Sequence, residues 1–274
     1  MTLKARNKIL TVFLFFSIFC ILAGILSLVI ALLNKAITPP PVLRIPKFLN
    51  SIPFLKYNFS ATIISIIFLT ICVPFIVFYV LKFFEATQST EIIFFIGFLT
   101  ACLAEIVRIL TPLFGLWSTF SNLLFFCGRV LFMGRLLAPL SFVFAAIASS
   151  PEKRQEVEQN LFIMFIIAIV FSISVPINTA KISSAGAVTW GFPCLFFILR
   201  IACIILSFIT FILKGISDSS EEYKKIAFSM LVLFSGYSIL QSSDNFAFLI
   251  TGLPLFSIGI FGYLRNLHKL YMWQ

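Results

Sequence analysis

Ile9–Leu33 reads ILTVFLFFSIFCILAGILSLVIALL, an unbroken apolar run with no charged residue. As a helix it would extend about 38 Å, more than the roughly 30 Å of a bilayer's hydrocarbon core. Ahead of it stands Met1–Lys8, MTLKARNK, which carries Lys4, Arg6 and Lys8. The run is too long for a signal-peptide core and has no small-x-small cleavage site, so it reads as a retained first span. Only a helix that satisfies its own backbone groups is stable in lipid, and this stretch has nothing else to offer.

The same pattern recurs along the chain. Seven further spans are predicted at Phe59–Leu81, Glu91–Leu110, Leu116–Ser149, Leu161–Val175, Trp190–Leu213, Ile226–Leu240 and Phe246–Leu264. The expected fold is therefore all-α: one polytopic transmembrane bundle over residues 1–274, an N-terminal anchor plus a seven-span core. Composition agrees. The chain is 61% hydrophobic and 11% charged, with 36 Phe, whereas soluble domains carry about 25% charged residues. It lacks the polar surface to face water all round.

The net charge of +10 would suggest nucleic acid in a soluble protein, but here the cations flank apolar runs, so no nucleic-acid partner is expected. With both termini cytoplasmic, the inner positions hold Lys4, Arg6, Lys8, Lys82, Lys153, Arg154, Lys214, Lys224, Lys225, Arg265 and Lys269. The outer loops hold Lys35, Arg44, Lys47, Lys56 and Lys181. That asymmetry favours termini inside, as an even number of spans requires. Membrane lipid is the expected surrounding and a bacterial inner membrane the expected location, since the Phe and Ile content is what an AT-rich genome favours. Trp190 fits an interfacial anchor at the outer end of its span.

Three stretches depart from the pattern. Asn34–Asn58 is basic, has no acid and contains Pro39, Pro40, Pro41, Pro46 and Pro53, so it reads as a segment along the outer membrane surface. Leu116–Ser149 would extend about 50 Å as one helix. Either Pro139 breaks it, or its first part lies in the interface or re-enters. Ser172–Thr189 reads as a flexible outer loop, or as the lining of an entrance.

Five charged residues lie deep inside predicted spans, Glu105, Arg108, Arg129, Arg135 and Arg200, with Glu91 on nearly the same face as Glu105 but at the inner end of its span. Each costs roughly 2.5–3.5 kcal/mol to insert, so each should face the bundle interior with a partner. Glu105 and Arg108, three residues apart, share a helix face. Depth along consecutive antiparallel helices predicts a Glu105–Arg129 contact, with Arg108 competing for the carboxylate and Arg135 snorkelling to the cytoplasm. Arg200 has no evident acidic partner. The bland reading is one interhelical polar clamp. The functional reading is that the arginine surplus receives an anion, either a small carboxylate or a lipid phosphate.

Enzymatic chemistry finds little support. There is no Gly-rich phosphate loop with Lys, no GxSxG and no HExxH. The two aspartates, Asp218 and Asp244, lie in loops, and the lone His268 lies beyond the last span on what reads as a solvated flank. Cys20, Cys72, Cys102, Cys127, Cys194 and Cys203 form no CxxC or Cys/His cluster, so no cofactor, metal or disulfide is expected. The layout resembles the seven-span sensing modules of bacterial sensor proteins in architecture alone, with no shared motif and no effector domain expected after Leu264. The leading expectation is a non-enzymatic multispan protein that binds a small or lipidic anion, or a protein partner, within the bundle. The alternatives are a permease or transporter subunit, and a structural subunit of a membrane complex. The latter would leave the small residues Gly252, Ser257, Gly259 and Gly262 of the last span facing lipid.

Overall fold

The structure, a computed structural model, describes residues 2–33, 54–85, 87, 89–116, 121–148 and 157–272. Eight helices and one short hairpin are found among them: α1 Leu3–Leu33, α2 Phe59–Phe83, α3 Glu91–Leu113, α4 Asn122–Ala148, α5 Val157–Ser174, β1 Ile177–Ile182, β2 Val188–Trp190, α6 Pro193–Ser217, α7 Glu221–Gln241 and α8 Phe246–Met272. Seven of the helices are long and apolar enough to cross a membrane. The exception is α7, whose first two turns carry Glu221, Glu222, Lys224 and Lys225.

Successive helices run antiparallel, so α3, α5 and α7 finish at one end of the bundle, where α4, α6 and α8 begin. The hairpin sits at that end, and the described termini lie at the other. The closest-packed pairs are α7 with α8 and α3 with α4. Glycine permits the first. A Cβ on Gly259 would meet the backbone of Leu233 at 2.4 Å, and one on Gly236 the backbone nitrogen of Phe256 at 2.4 Å. Gly252 likewise faces Leu240 and Gly262 faces Ser229, so the glycines of α8 serve a contact within the chain, while Ser257 is exposed. Between α3 and α4 the close point is Gly134, directly against Ala101 and Ala104.

The core is aromatic. Phe98 contacts Phe142, Tyr237 and Phe256 at ring separations of 5.1, 5.5 and 6.2 Å, and Phe95 stacks on Tyr263 at 5.3 Å. Most side chains along α3 are buried, whereas α1, α5 and α6 expose long rows of Phe, Ile and Leu. That inversion is expected where hydrocarbon is the solvent. Helix ends are tied by side chains. Asn58 accepts from the Ser60 amide at 2.9 Å to open α2, and Asn245 accepts from Phe248 at 2.9 Å to open α8. Arg6, almost fully buried, donates to the carbonyls of Phe84 at 2.5 Å, Glu85 at 3.2 Å and Thr87, closing the end of α2 and holding α1 to it.

Several sequence expectations are corrected here. The long run Leu116–Ser149 holds one helix that starts only at Asn122 and passes through Pro139 unbroken. The third helix continues beyond Leu110 to Leu113, and the last runs on to Met272, where the His268 ring packs edge-on against Phe84 at 5.3 Å instead of standing in solvent. The supposed loop Ser172–Thr189 finishes α5 and then forms the hairpin. Trp190 ends β2, half-buried, its ring between Phe132 at 5.2 Å and Phe196 at 4.6 Å. Of the proline-rich stretch Asn34–Asn58, residues 34–53 lie outside the described residues.

Candidate functional site

Glu105 begins a short 3-10 stretch, Glu105–Ile109, inside α3. Three residues per turn place i and i+3 directly above one another, which puts Arg108 over Glu105. The result is an ion pair, Arg108 Nη1 to Glu105 Oε2, at 3.0 Å with both side chains buried. The other face of the carboxylate is taken by Arg135 of α4: its Nε donates to Oε1 at 2.9 Å and its Nη2 to Oε2 at 3.2 Å. Tyr237 of α7 adds its hydroxyl to Oε1 at 3.4 Å. Glu105 thus accepts from three helices and is closed off from solvent.

The expected Glu105–Arg129 contact is not formed, and Arg135 does not snorkel to the cytoplasm. Two physical reasons account for the exchange. Side chains on a helix lean toward its N-terminus, so Arg135 reaches back toward the end where α4 begins and α3 finishes. The Gly134–Ala104 approach then fixes the neighbouring pair, 135 beside 105, across the interface. Arg129 lies six residues earlier, about 120° around the helix. It turns to α5, donating to the carbonyls of Val175 at 2.6 Å and Ser172, while the Ser172 hydroxyl donates to the Arg129 carbonyl at 2.7 Å. The Phe125 ring covers it at 4.6 Å.

The hairpin supplies the next layer. Its turn reverses at Gly186, whose φ of 77° suits glycine, and it carries Ala185, Gly186, Ala187 and Val188 into the bundle. The Ala185 carbonyl accepts from Arg108 Nε at 2.8 Å and from Nη2, and the Gly186 carbonyl from Thr111 at 3.5 Å. Outside this plug, the Ser184 hydroxyl donates to Asp244 Oδ2 at 2.6 Å, tying the turn to the α7–α8 connection. Sequence reading missed the hairpin. Its signal was there in Ile177, Thr179, Ile182, Val188 and Thr189, β-branched residues either side of a Ser-Ala-Gly turn.

Arg200 of α6 stands at the edge of the cluster. Its Nη2 lies 3.2 Å from the Ser238 hydroxyl. With the Gln241 amide oriented to place oxygen toward it, Nη1 and Nη2 donate at 2.6 and 3.0 Å. The rings of Phe234 and Phe196 flank the guanidinium at 5.2 and 5.8 Å. Its Nε is buried and has no hydrogen-bond partner among the described residues. Gln241, which nothing in the spacing singled out, links the two sides: its backbone carbonyl also accepts from Arg135 Nη2 at 3.4 Å.

Glu105, Arg108, Arg135 and Arg200 therefore form one enclosed network, with Arg129 apart from it. Three guanidinium charges meet one carboxylate, a surplus of two. The C-terminus of α7 contributes roughly half a negative charge at Gln241, which still leaves more than one positive charge in the bundle. No group of three or more His, Cys, Asp or Glu that could hold a metal occurs among the described residues. Compared with known families and with curated proteins, the chain matches no family model and no curated sequence.

Proposed function

We propose that the chain is a non-enzymatic, multi-pass protein of a bacterial inner membrane, crossing it eight times with both termini cytoplasmic. On this reading its buried arginine network receives an anionic group, a lipid phosphate or a small carboxylate, at the α6 edge. One observation carries the reading: the network holds three arginines to one carboxylate, and its outermost arginine, Arg200, keeps an unpartnered Nε. A cationic surplus enclosed by apolar helices is costly unless an anion offsets it. Arginine is suited to phosphate and carboxylate because its planar fork binds both oxygens at once.

Arg129 has no part in this site, since the Ser172 and Val175 carbonyls occupy it. Arg108 and Arg135 hold Glu105, which leaves Arg200 as the residue that meets the ligand. The helix that carries it, α6, is among the most lipid-facing of the bundle, so a headgroup has a lateral approach. A permease reading gains less, because Glu105 is shut in by its own partners. The test is native mass spectrometry of the purified protein after delipidation and re-addition of phosphatidylglycerol, phosphatidylethanolamine or a dicarboxylate. The wild type should retain the anionic species, and Arg200→Gln should lose it while keeping its melting temperature within a few degrees. Equal retention by Arg200→Gln would remove the site.

A further inference from the structure

At the opposite end of the bundle a second buried acid is placed quite differently. Glu91, the first residue of α3, is 0% exposed, and no cation stands at ion-pair distance among the described residues. Its Oε2 accepts from the Tyr271 hydroxyl of α8 at 2.6 Å, from Thr90 at 3.3 Å and from Ser89 at 3.4 Å. Its Oε1 is buried and has no hydrogen-bond partner among the described residues. The N-terminus of α3 offers this carboxylate about half a positive charge; among the described residues no ion-pair partner supplies the rest, and a buried carboxylate oxygen left in that state favours a bound cation.

The side chains that hydrogen-bond to it are all hydroxyls. Besides the carboxylate there are the hydroxyls of Ser89, Thr90 and Tyr271, and the Ala148 carbonyl at the end of α4, which the Thr90 hydroxyl approaches at 3.3 Å. Two helices, α4 and α8, bring their C-termini to this place, and their partial negative charge favours a cation. Tyr263, two turns before Tyr271 on α8, adds a buried hydroxyl without a hydrogen-bond partner among the described residues. Its ring stacks on Phe95, one turn along α3 from Glu91. A set made only of oxygens selects a hard cation. A single carboxylate matches a single charge, whereas calcium takes six to eight oxygens and magnesium demands near-octahedral geometry.

We propose that Glu91, with the hydroxyls of Ser89, Thr90 and Tyr271 and the Ala148 carbonyl, forms a binding site for a small monovalent cation of the sodium class. The cation sits against Oε1 and neutralises the carboxylate. It joins the starts and ends of α3, α4 and α8, so its binding stabilises the folded bundle by mass action. The site is separate from the arginine network, and Arg200→Gln leaves it untouched.

The experiment measures binding of ²²Na⁺ to the purified full-length chain in detergent by scintillation proximity, and its thermal unfolding in NaCl or choline chloride at equal ionic strength and pH 8. The wild type should bind ²²Na⁺ saturably, displaced by unlabelled Na⁺ and not by choline, and its melting temperature should rise with Na⁺. Glu91→Gln should lose both effects. Tyr271→Phe, which keeps the charge and removes one supporting hydroxyl, should need about tenfold more Na⁺ for half-saturation. Absence of saturable binding to the folded wild type overturns the proposal. Binding retained by Glu91→Gln overturns it too. Should that variant fail to fold, Tyr271→Phe decides, and an unchanged half-saturation counts against the site.

Discussion

Glu105 accepts from Arg108, Arg135 and Tyr237, and the value of that arrangement lies mostly in what its loss would expose. Replacing Glu105 by Gln leaves two buried guanidinium groups without a counter-charge. We expect it to destabilise the protein by about 3–5 kcal/mol, read as a lowered midpoint in detergent denaturation. The Glu105–Arg108 pair was legible in the sequence because it is local: three residues on one helix decide it. Arg135 was not, since choosing it over Arg129 depends on where α4 begins and on the Gly134–Ala104 approach. Both are properties of packing between helices. Gln241 was harder still, a neutral amide at a helix end whose importance comes from facing two arginines.

At the scale of elements, hydrophobic runs told where helices lie, and they erred where polarity and structure part company. The short run Ile226–Leu240 gains its charged first two turns and becomes α7, which packs closely against α8 through glycine. Gly259→Val should force α8 off the Leu233 backbone. The expected cost is about 1–3 kcal/mol, and differential scanning fluorimetry should find the melting temperature lowered. The hairpin lay in a stretch rich in small and hydroxylated residues, where β-branched spacing was too brief to stand out against a loop. Its latch can be tested alone. Ser184→Ala removes the bond to Asp244, worth about 1 kcal/mol, so amides of β1 and β2 should exchange with deuterium roughly fivefold faster while those of α3 keep their protection.

For the whole molecule, the inversion of polarity sets the prediction. Outward faces of α1, α5 and α6 are lined with Phe, Ile and Leu, whereas the ionised side chains Glu105, Arg108 and Arg135 lie inside. Composition alone announced this inversion, because 11% charged residues cannot clothe a soluble surface. The proposed direction of threading, with both ends cytoplasmic, rests on the flanking cations. A fluorescent reporter fused after Gln274 should mature in the cytoplasm and an alkaline phosphatase fused there should stay inactive. The opposite pair of results would reverse the assignment of both ends.

The tether from Arg6 has a consequence for how the chain is born. Apart from the adjacent Asn7 side chain, its acceptors are the carbonyls at 84, 85 and 87, so for some eighty residues of synthesis the guanidinium lacks its distant partners. Only when the second helix has threaded back does the ribosome deliver the anchorage point. Nascent chains too short for residues 84–87 to have left the ribosome should therefore lack this tether, and chains long enough to expose them should hold the start of the first helix fast.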